Sequence, residues 1–242
     1  MISHDAALAD PPDAASGAAD AASEAVRARL LRAVLAHRLA PGAKLSEEGV
    51  AAACGVGRTV ARAALRALAH DGVVEIARNR GAFVASPAPR EAREVFEARA
   101  LVEPHVARLA AARCDAAALA RLRAHLAEER AALDAGAQDR AVYLSGQFHV
   151  LIAGVAGQRT LASFVALLIA RSSLAVALYW RRAEALCQSC AHDALTEALA
   201  QGDAAGAEAA MRRHLDDLVA GLDFSPRAAP ARDLAQALDM TP

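Results

Sequence analysis

The sequence predicts a mostly α-helical chain in two parts, a small basic N-terminal unit with one β-hairpin and an antiparallel helical bundle behind it. Three observations carry this. The 242-residue chain is 55% hydrophobic but only 3% aromatic, and much of its apolar content is alanine, the residue with the best helix propensity. Apolar residues recur at helical spacing almost everywhere except in GVVEIARNRGAFVA, where a polar tip separates two short apolar runs. Charge is also uneven: the formal net of -1 conceals a stretch, 23–90, with eleven Lys/Arg against five Asp/Glu. A basic block before a mildly acidic remainder points to a polyanion-binding module joined to something else.

Residues 1–22 hold four Asp, no Lys or Arg and no run of large apolar residues, so a disordered tail is expected. From Glu24, Val26, Leu30, Leu31, Val34 and Leu35 share a helix face until Pro41-Gly42 marks a turn. Ser46 then suits an N-cap, with Glu47 and Glu48 in the first turn, where the helix dipole favours them. Gly55-Val56-Gly57 separates that helix from the next, about Arg58 to His70, which turns Leu65 and Leu68 inward. Val74 and Ile76, then Phe83 and Val84, flank the tip of the hairpin. Three helices and a hairpin in this order make a winged helix-turn-helix over residues 23–86. Its third helix suits the DNA major groove, with Arg58, Thr59 and Arg62 near the base edges. Arg78 and Arg80, beside Gly81 at the wing tip, suit a neighbouring minor groove or phosphates. The partner implied is double-stranded DNA.

From Pro89 to about Phe224 the pattern is helical again, expected as an antiparallel bundle of six or seven helices, with a flexible tail over 225–242. Asp115 and Asp203 suit caps, and Gly202 a helix end. His149, His192 and His214 fall on apolar faces of three of these helices. A single histidine on such a face is usually a satisfied core residue. Three on converging faces suit one divalent metal, zinc in the first place, with nickel, manganese or iron as alternatives; three imidazoles leave a coordination position open. His4, His37, His70, His105 and His125 show no such convergence and are expected at the surface or in caps.

The stretch CQSCAH places Cys187 and Cys190 just before His192. A cysteine zinc site needs two more ligands and no second C-x-x-C exists; c-type haem needs the histidine directly after the second cysteine. The thiols are therefore expected as small core residues, with redox sensing as the alternative. With no run of 18 uncharged apolar residues, no membrane span is expected. With no secretory signal pattern at the N-terminus and four cysteines in all, a reducing cytoplasm is expected.

PGAKLSEEGVAAACGVGRTVARAALRALAHDGVVEIARNRGAFV resembles the DNA-binding domain of the GntR family of bacterial regulators. That pattern is roughly P-G-x-x-L-x-E-x-x-L-A-x-x-x-G-V-S-R-T-P-V-R-x-A-L-x-x-L-x-x-x-G-L-V, then R-G-x-x-V. Gly57 and Val60 depart from its serine and proline, and Glu48 stands where some members carry a DNA-contacting arginine. The second half resembles the all-α effector domain of the FadR branch, the FCD domain. Its signature is D-x-x-x-H, then a second histidine, then a third 22 residues on. Here His149 follows Phe148, and His192 and His214 are 22 apart. Ser145 stands where the aspartate belongs.

The resemblance implies a homodimeric regulator whose bundle binds a small molecule, a repressor released by its ligand being the form expected. A small carboxylate is the expected effector, entering at the position that Ser145 leaves open. Arg99, in the family's E-x-R-x-x-x-E pattern, and Arg171 are candidates to hold its far end. The rivals are a metal or redox sensor and a three-histidine metalloenzyme. The last needs a general base, for which Glu184 and Glu197 are the nearest candidates in sequence to His192.

Overall fold

A computed structural model describes residues 14–180 and 188–224. The first helix, α1 (Ala14–Leu35), starts inside the stretch expected to be a tail. Residues 17–20 are exposed. Alanine sustains them by backbone propensity alone, and burial begins at Val26 and Leu30.

After the Pro41-Gly42 turn come β1 (Lys44–Leu45), α2 (Glu47–Cys54) and α3 (Arg58–His70). Ser46 caps α2 by accepting a hydrogen bond from Gly49 N at 3.0 Å, and Gly55, with φ 66°, closes it in the left-handed conformation that favours glycine. Gly57 leads into α3 without a side-chain cap. The wing is β2 (Val74–Ala77) and β3 (Gly81–Val84). The sequence reading missed β1, which pairs antiparallel with β3 through Lys44↔Phe83 and Leu45↔Ala82, giving a three-stranded sheet in the order β1-β3-β2. Two residues are too few for an alternation to be seen.

The bundle is α4 (Pro89–Ala111), α5 (Ala116–Asp134), α6 (Gln138–Val155), α7 (Arg159–Tyr179), α8 (Gln188–Ala200) and α9 (Ala204–Ala220), six helices among the described residues. Pro89 suits the first turn of α4, where Glu91 accepts from Ala88 N at 2.7 Å. Asp115 and Asp203 cap α5 and α9. The spine is α4, which packs on α9, α7, α6 and α8. One apolar cluster runs from Leu30 and Leu68 in the N-terminal unit to Ile152, Leu174, Leu195 and Met211 in the bundle.

By length and composition α7 could cross a bilayer, which the rule of 18 uncharged residues did not register. It carries Arg171, and here it packs against α4, α6 and α1. At Gly146 of α6 a Cβ would lie 3.2 Å from Ile169 Cγ2, so glycine permits the close approach of α6 to α7.

Candidate functional site

His149 on α6, His192 on α8 and His214 on α9 converge, with every ring at least 97% buried. One nitrogen from each lies within 4.8 Å of the others. His149 Nε2 and His214 Nε2 are 3.2 Å apart, and the His192 and His214 ring centroids are 4.8 Å apart.

Two buried carboxylates support these rings from outside. The Nδ1–H of His149 donates to Glu103 Oε2 at 2.5 Å, and that of His192 to Glu129 Oε2 at 3.0 Å. Each contact sets the tautomer and turns Nε2 toward the other histidines. Glu103 is also gripped by Arg99, Nε to Oε1 at 2.5 Å. Burial pushes the Glu103 carboxyl up, but the charge of Arg99 and the hydrogen bonds from His149 and Arg99 outweigh this and hold it at about 2. Burial lowers His149, partly opposed by Glu103, and lowers His214 well below 6.5, helped by the neighbouring histidines. The neutral form of both rings is therefore favoured, with lone pairs available to a Lewis acid.

The geometry fits a metal ion. His192 Nε2 is buried and has no hydrogen-bond partner among the described residues. A buried polar atom in that state is costly unless something coordinates it. Tetrahedral zinc ligands lie roughly 3.3 Å apart; the His149–His214 spacing already matches, and small ring movements would bring His192 in.

Beside the cluster lies a cavity of about 290 Å³ whose wall includes Arg99, Ser145, His149, Ser172 and Tyr143. Ser145 is one helical turn before His149, as expected from their spacing. The structure departs from expectation at the arginines. Arg99 borders the cavity, but it is 3% exposed and its guanidinium already serves Glu103 and, at 3.1 Å, Ser172 Oγ. It is a structural ion-pair member before it is a carboxylate clamp. Arg171 is exposed on α7 outside this wall and lies over Gly72, where a Cβ would be 3.3 Å from its Nε. A helix turns successive side chains about 100° apart, which sends Arg171 elsewhere than Ser172. Two of the histidines expected at the surface or in caps make contacts between elements: His37 borders the cavity and contacts Ser173, and His125 Nε2 lies 2.7 Å from Leu144 O.

Glu103 and Glu129 escaped the sequence reading as site residues. Glu103 closes the E-x-R-x-x-x-E pattern four residues after Arg99, a spacing that pairs side chains on a helix. Nothing in E-E-R distinguishes Glu129 from its exposed neighbour Glu128. Cys187 lies outside the described residues, as do the Cys190 side chain and Glu184, so neither the core nor the redox reading of the thiols bears on this geometry. Glu197 is exposed and paired with Gln201.

On the N-terminal unit Arg58, Thr59 and Arg62 are exposed along α3, and Arg66 extends the same stripe by one more turn. Arg62 forms a two-pronged pair with Glu47, both contacts at 2.7 Å. Arg58 Nη2 is 3.3 Å from Glu48 Oε1. At the wing, Arg78 is exposed, Arg80 lies over the Phe83 ring at 5.5 Å, and Asn79 and Gly81 take positive φ to make the tight tip.

The family models for "Bacterial regulatory proteins, gntR family" and "FCD domain" match residues 22–84 and 94–217. The chain is 32% identical over 129 residues to the HTH-type transcriptional repressor RspR of Escherichia coli K12, covering 53% of this chain and 57% of RspR. It thus spans little more than half of that relative. It is 30% identical over 198 residues to an HTH-type transcriptional regulator in an unstable DNA locus of Streptomyces ambofaciens, covering 77% of this chain and 79% of the relative. Among solved structures, E. coli McbR/YncC has a similar fold, with a TM-score of 0.75 at 20% identity over 82% of this chain and 95% of that one. So does a GntR regulator from Rhodococcus sp. RHA1, with a TM-score of 0.71 at 22% identity over 83% and 96%. RspR and the Streptomyces relative are described as a transcriptional repressor and a transcriptional regulator, and both matching family models are those of regulators rather than enzymes, which removes the metalloenzyme reading. With a gntR-type winged helix followed by an FCD bundle, the chain belongs to the GntR family of bacterial regulators, in its FadR-like branch.

Proposed function

We propose that this chain is a ligand-responsive repressor that binds operator DNA as a homodimer in the cytoplasm. In this reading Arg58, Thr59 and Arg62 of α3 face base edges, and Arg78, Arg80 and Gly81 of the wing engage the backbone or minor groove. The observation that carries the sensing half is the orphaned, buried Nε2 of His192 facing two further imidazoles beside a cavity. His149, His192 and His214 would hold one divalent ion, zinc before nickel, manganese or iron. Such an ion supplies a Lewis acid for an oxygen donor.

The charges favour an anionic donor. Arg99 and Glu103 cancel, imidazoles that ligate a metal bring no charge, and the single Glu129 carboxylate can offset only one of the ion's two positive charges. A small carboxylate in the cavity, beside Ser145, balances the remainder. At about 290 Å³ the cavity lies at the small end of ligand pockets. Arg99 can offer such a ligand only what its bonds to Glu103 and Ser172 leave over, and Arg171 stands outside the wall. The binding of a ligand to one dimer geometry in preference to the other would release the operator.

The test has two readouts. Elemental analysis of protein purified without added metal should find up to one divalent ion per chain. Organic acids should then weaken binding to the chain's own upstream DNA in proportion to their calorimetric affinity. The second reading, in which the metal itself is the signal, is favoured by the burial of all three ligands. It predicts DNA affinity that follows metal loading with no organic acid present. Absence of DNA binding at low salt overturns both.

A further inference from the structure

The cavity is not walled by the bundle alone. Leu35 and His37, which belong to the DNA-binding half, line it together with Arg99, His149 and Ser173. His37 follows the end of α1 and has φ 54°, a conformation that residues other than glycine seldom adopt. It is held there from across the domain boundary. His37 Nε2 lies 3.0 Å from Ser173 O and 3.1 Å from Ser173 Oγ, and Ser173 Oγ in turn donates to Leu35 O at 3.4 Å.

Three consecutive residues of α7 therefore face three different things. Arg171 lies over Gly72, in the turn that ends α3. Ser172 accepts from Arg99, which grips the carboxylate beneath His149. Ser173 holds His37. The metal centre, the cavity and the end of the DNA-reading helix meet at one turn of one helix.

We propose that His37 is the residue through which an occupied cavity acts on the DNA-binding half. A small organic acid with a second polar group, anchored near His149, takes His37 Nε2 as a partner in place of Ser173. The latch between α1 and α7 then opens, and α1, which packs directly on α3, is free to shift. The latched and unlatched arrangements are the two states that a ligand biases. The ligand half of this inference rests on the reading of the cavity as an effector site; the latch does not.

The test uses the full chain with His37→Asn, Ser173→Ala and the double variant. Asparagine tolerates the left-handed backbone, so His37→Asn spares the turn. Without ligand, hydrogen exchange in the peptide over 30–40 should quicken by a few-fold to about tenfold in His37→Asn, the scale of one lost hydrogen bond, and by less in Ser173→Ala, which keeps the backbone oxygen of residue 173 as a partner for His37. The double variant should exceed His37→Asn by less than the product of the two single effects, because both singles remove the His37–Ser173 Oγ contact. Unchanged exchange, or effects that multiply, overturns the latch.

With citrate as probe, the emission of Trp180, which is the only tryptophan and borders the cavity, reports binding. In wild type, citrate should shift that emission, quicken exchange over 30–40 and lower DNA anisotropy. In His37→Asn the emission shift should persist at weaker affinity while the DNA response disappears. Equal release of both proteins from DNA overturns the role of His37. Silence of Trp180 toward citrate, malate and benzoate alike overturns the organic-acid reading and the ligand half of this inference, while the exchange data decide the latch separately.

Discussion

Glu129 Oε2 lies 3.0 Å from Nδ1 of His192, and this contact turns the other ring nitrogen into the space shared by His149 and His214. A carboxylate beneath a ligand imidazole fixes its tautomer and raises its basicity. Replacing Glu129 with Leu should weaken metal binding about 10- to 100-fold, as outer-shell partners commonly do. Competition against a chelator of known affinity measures it. Unchanged affinity would show that the Glu129 contact does not tune the site.

The Arg99–Glu103 pair is buried, with side chains 4% and 1% exposed. Removing one member leaves an uncompensated charge, so Arg99→Met should cost about 3–5 kcal/mol. Pairing it with Glu103→Leu should recover much of that loss. Urea unfolding of the two variants decides the matter. If the double variant is the less stable, the pair's value lies in holding His149 rather than in charge balance.

Acid should destabilise the chelated protein in two stages. Burial holds His149 and His214 below their ordinary value of 6.5, so below that pH the unfolded chain takes up protons that the native state refuses. Stability is therefore complete above about pH 6.5 and falls below it, by up to about 1.4 kcal/mol per pH unit for each histidine. Glu103, held at about 2 against an ordinary 4.5, adds a further loss as pH falls through that lower window. Urea midpoints from pH 7.5 to 4 should decline, and His214→Phe should flatten the first stage. A flat wild-type profile contradicts the burial argument.

On DNA, Arg58→Ala or Arg62→Ala should each cost about 1–3 kcal/mol and relax specificity at one base pair, if each reads a guanine. Arg66→Ala should instead lower the salt slope by about one. Equal weakening on every sequence would assign Arg58 and Arg62 to phosphates. Glu47 grips the fork of Arg62 in the free protein, so Glu47→Ala should blur the same base position that Arg62→Ala does.

Ser145→Asp restores a carboxylate one turn before His149, in the wall of the cavity. It should slow metal loss to a chelator and weaken the response to organic acids, because it supplies from within the charge that an effector would bring. Calorimetry with the same acids on both proteins is the check. Equal affinities exclude competition at this position.

The winged helix and the bundle were legible in the sequence because their signals are local. Ser46 before Glu47 and Glu48, the Gly55–Gly57 break, the polar tip between Ile76 and Phe83, and Asp115 and Asp203 before alanine-rich runs each act within a few residues. The identity of the three histidines was legible too, since a polar side chain on an apolar helix face stands out at period 3.6. Alanine blurred the first boundary: a residue that favours helix without needing burial lets α1 begin at Ala14, where no core marks its start. What only tertiary structure decided is which polar groups meet. Glu129 looks like Glu128 until α8 brings His192 beside it. Arg99 looks like a free cation until Glu103 and Ser172 occupy its guanidinium. Arg171 and Ser173 are two residues apart, yet the helix turns one over Gly72 and the other toward His37. Partnership across elements depends on helix rotation and packing, which bring together residues that are distant in the chain.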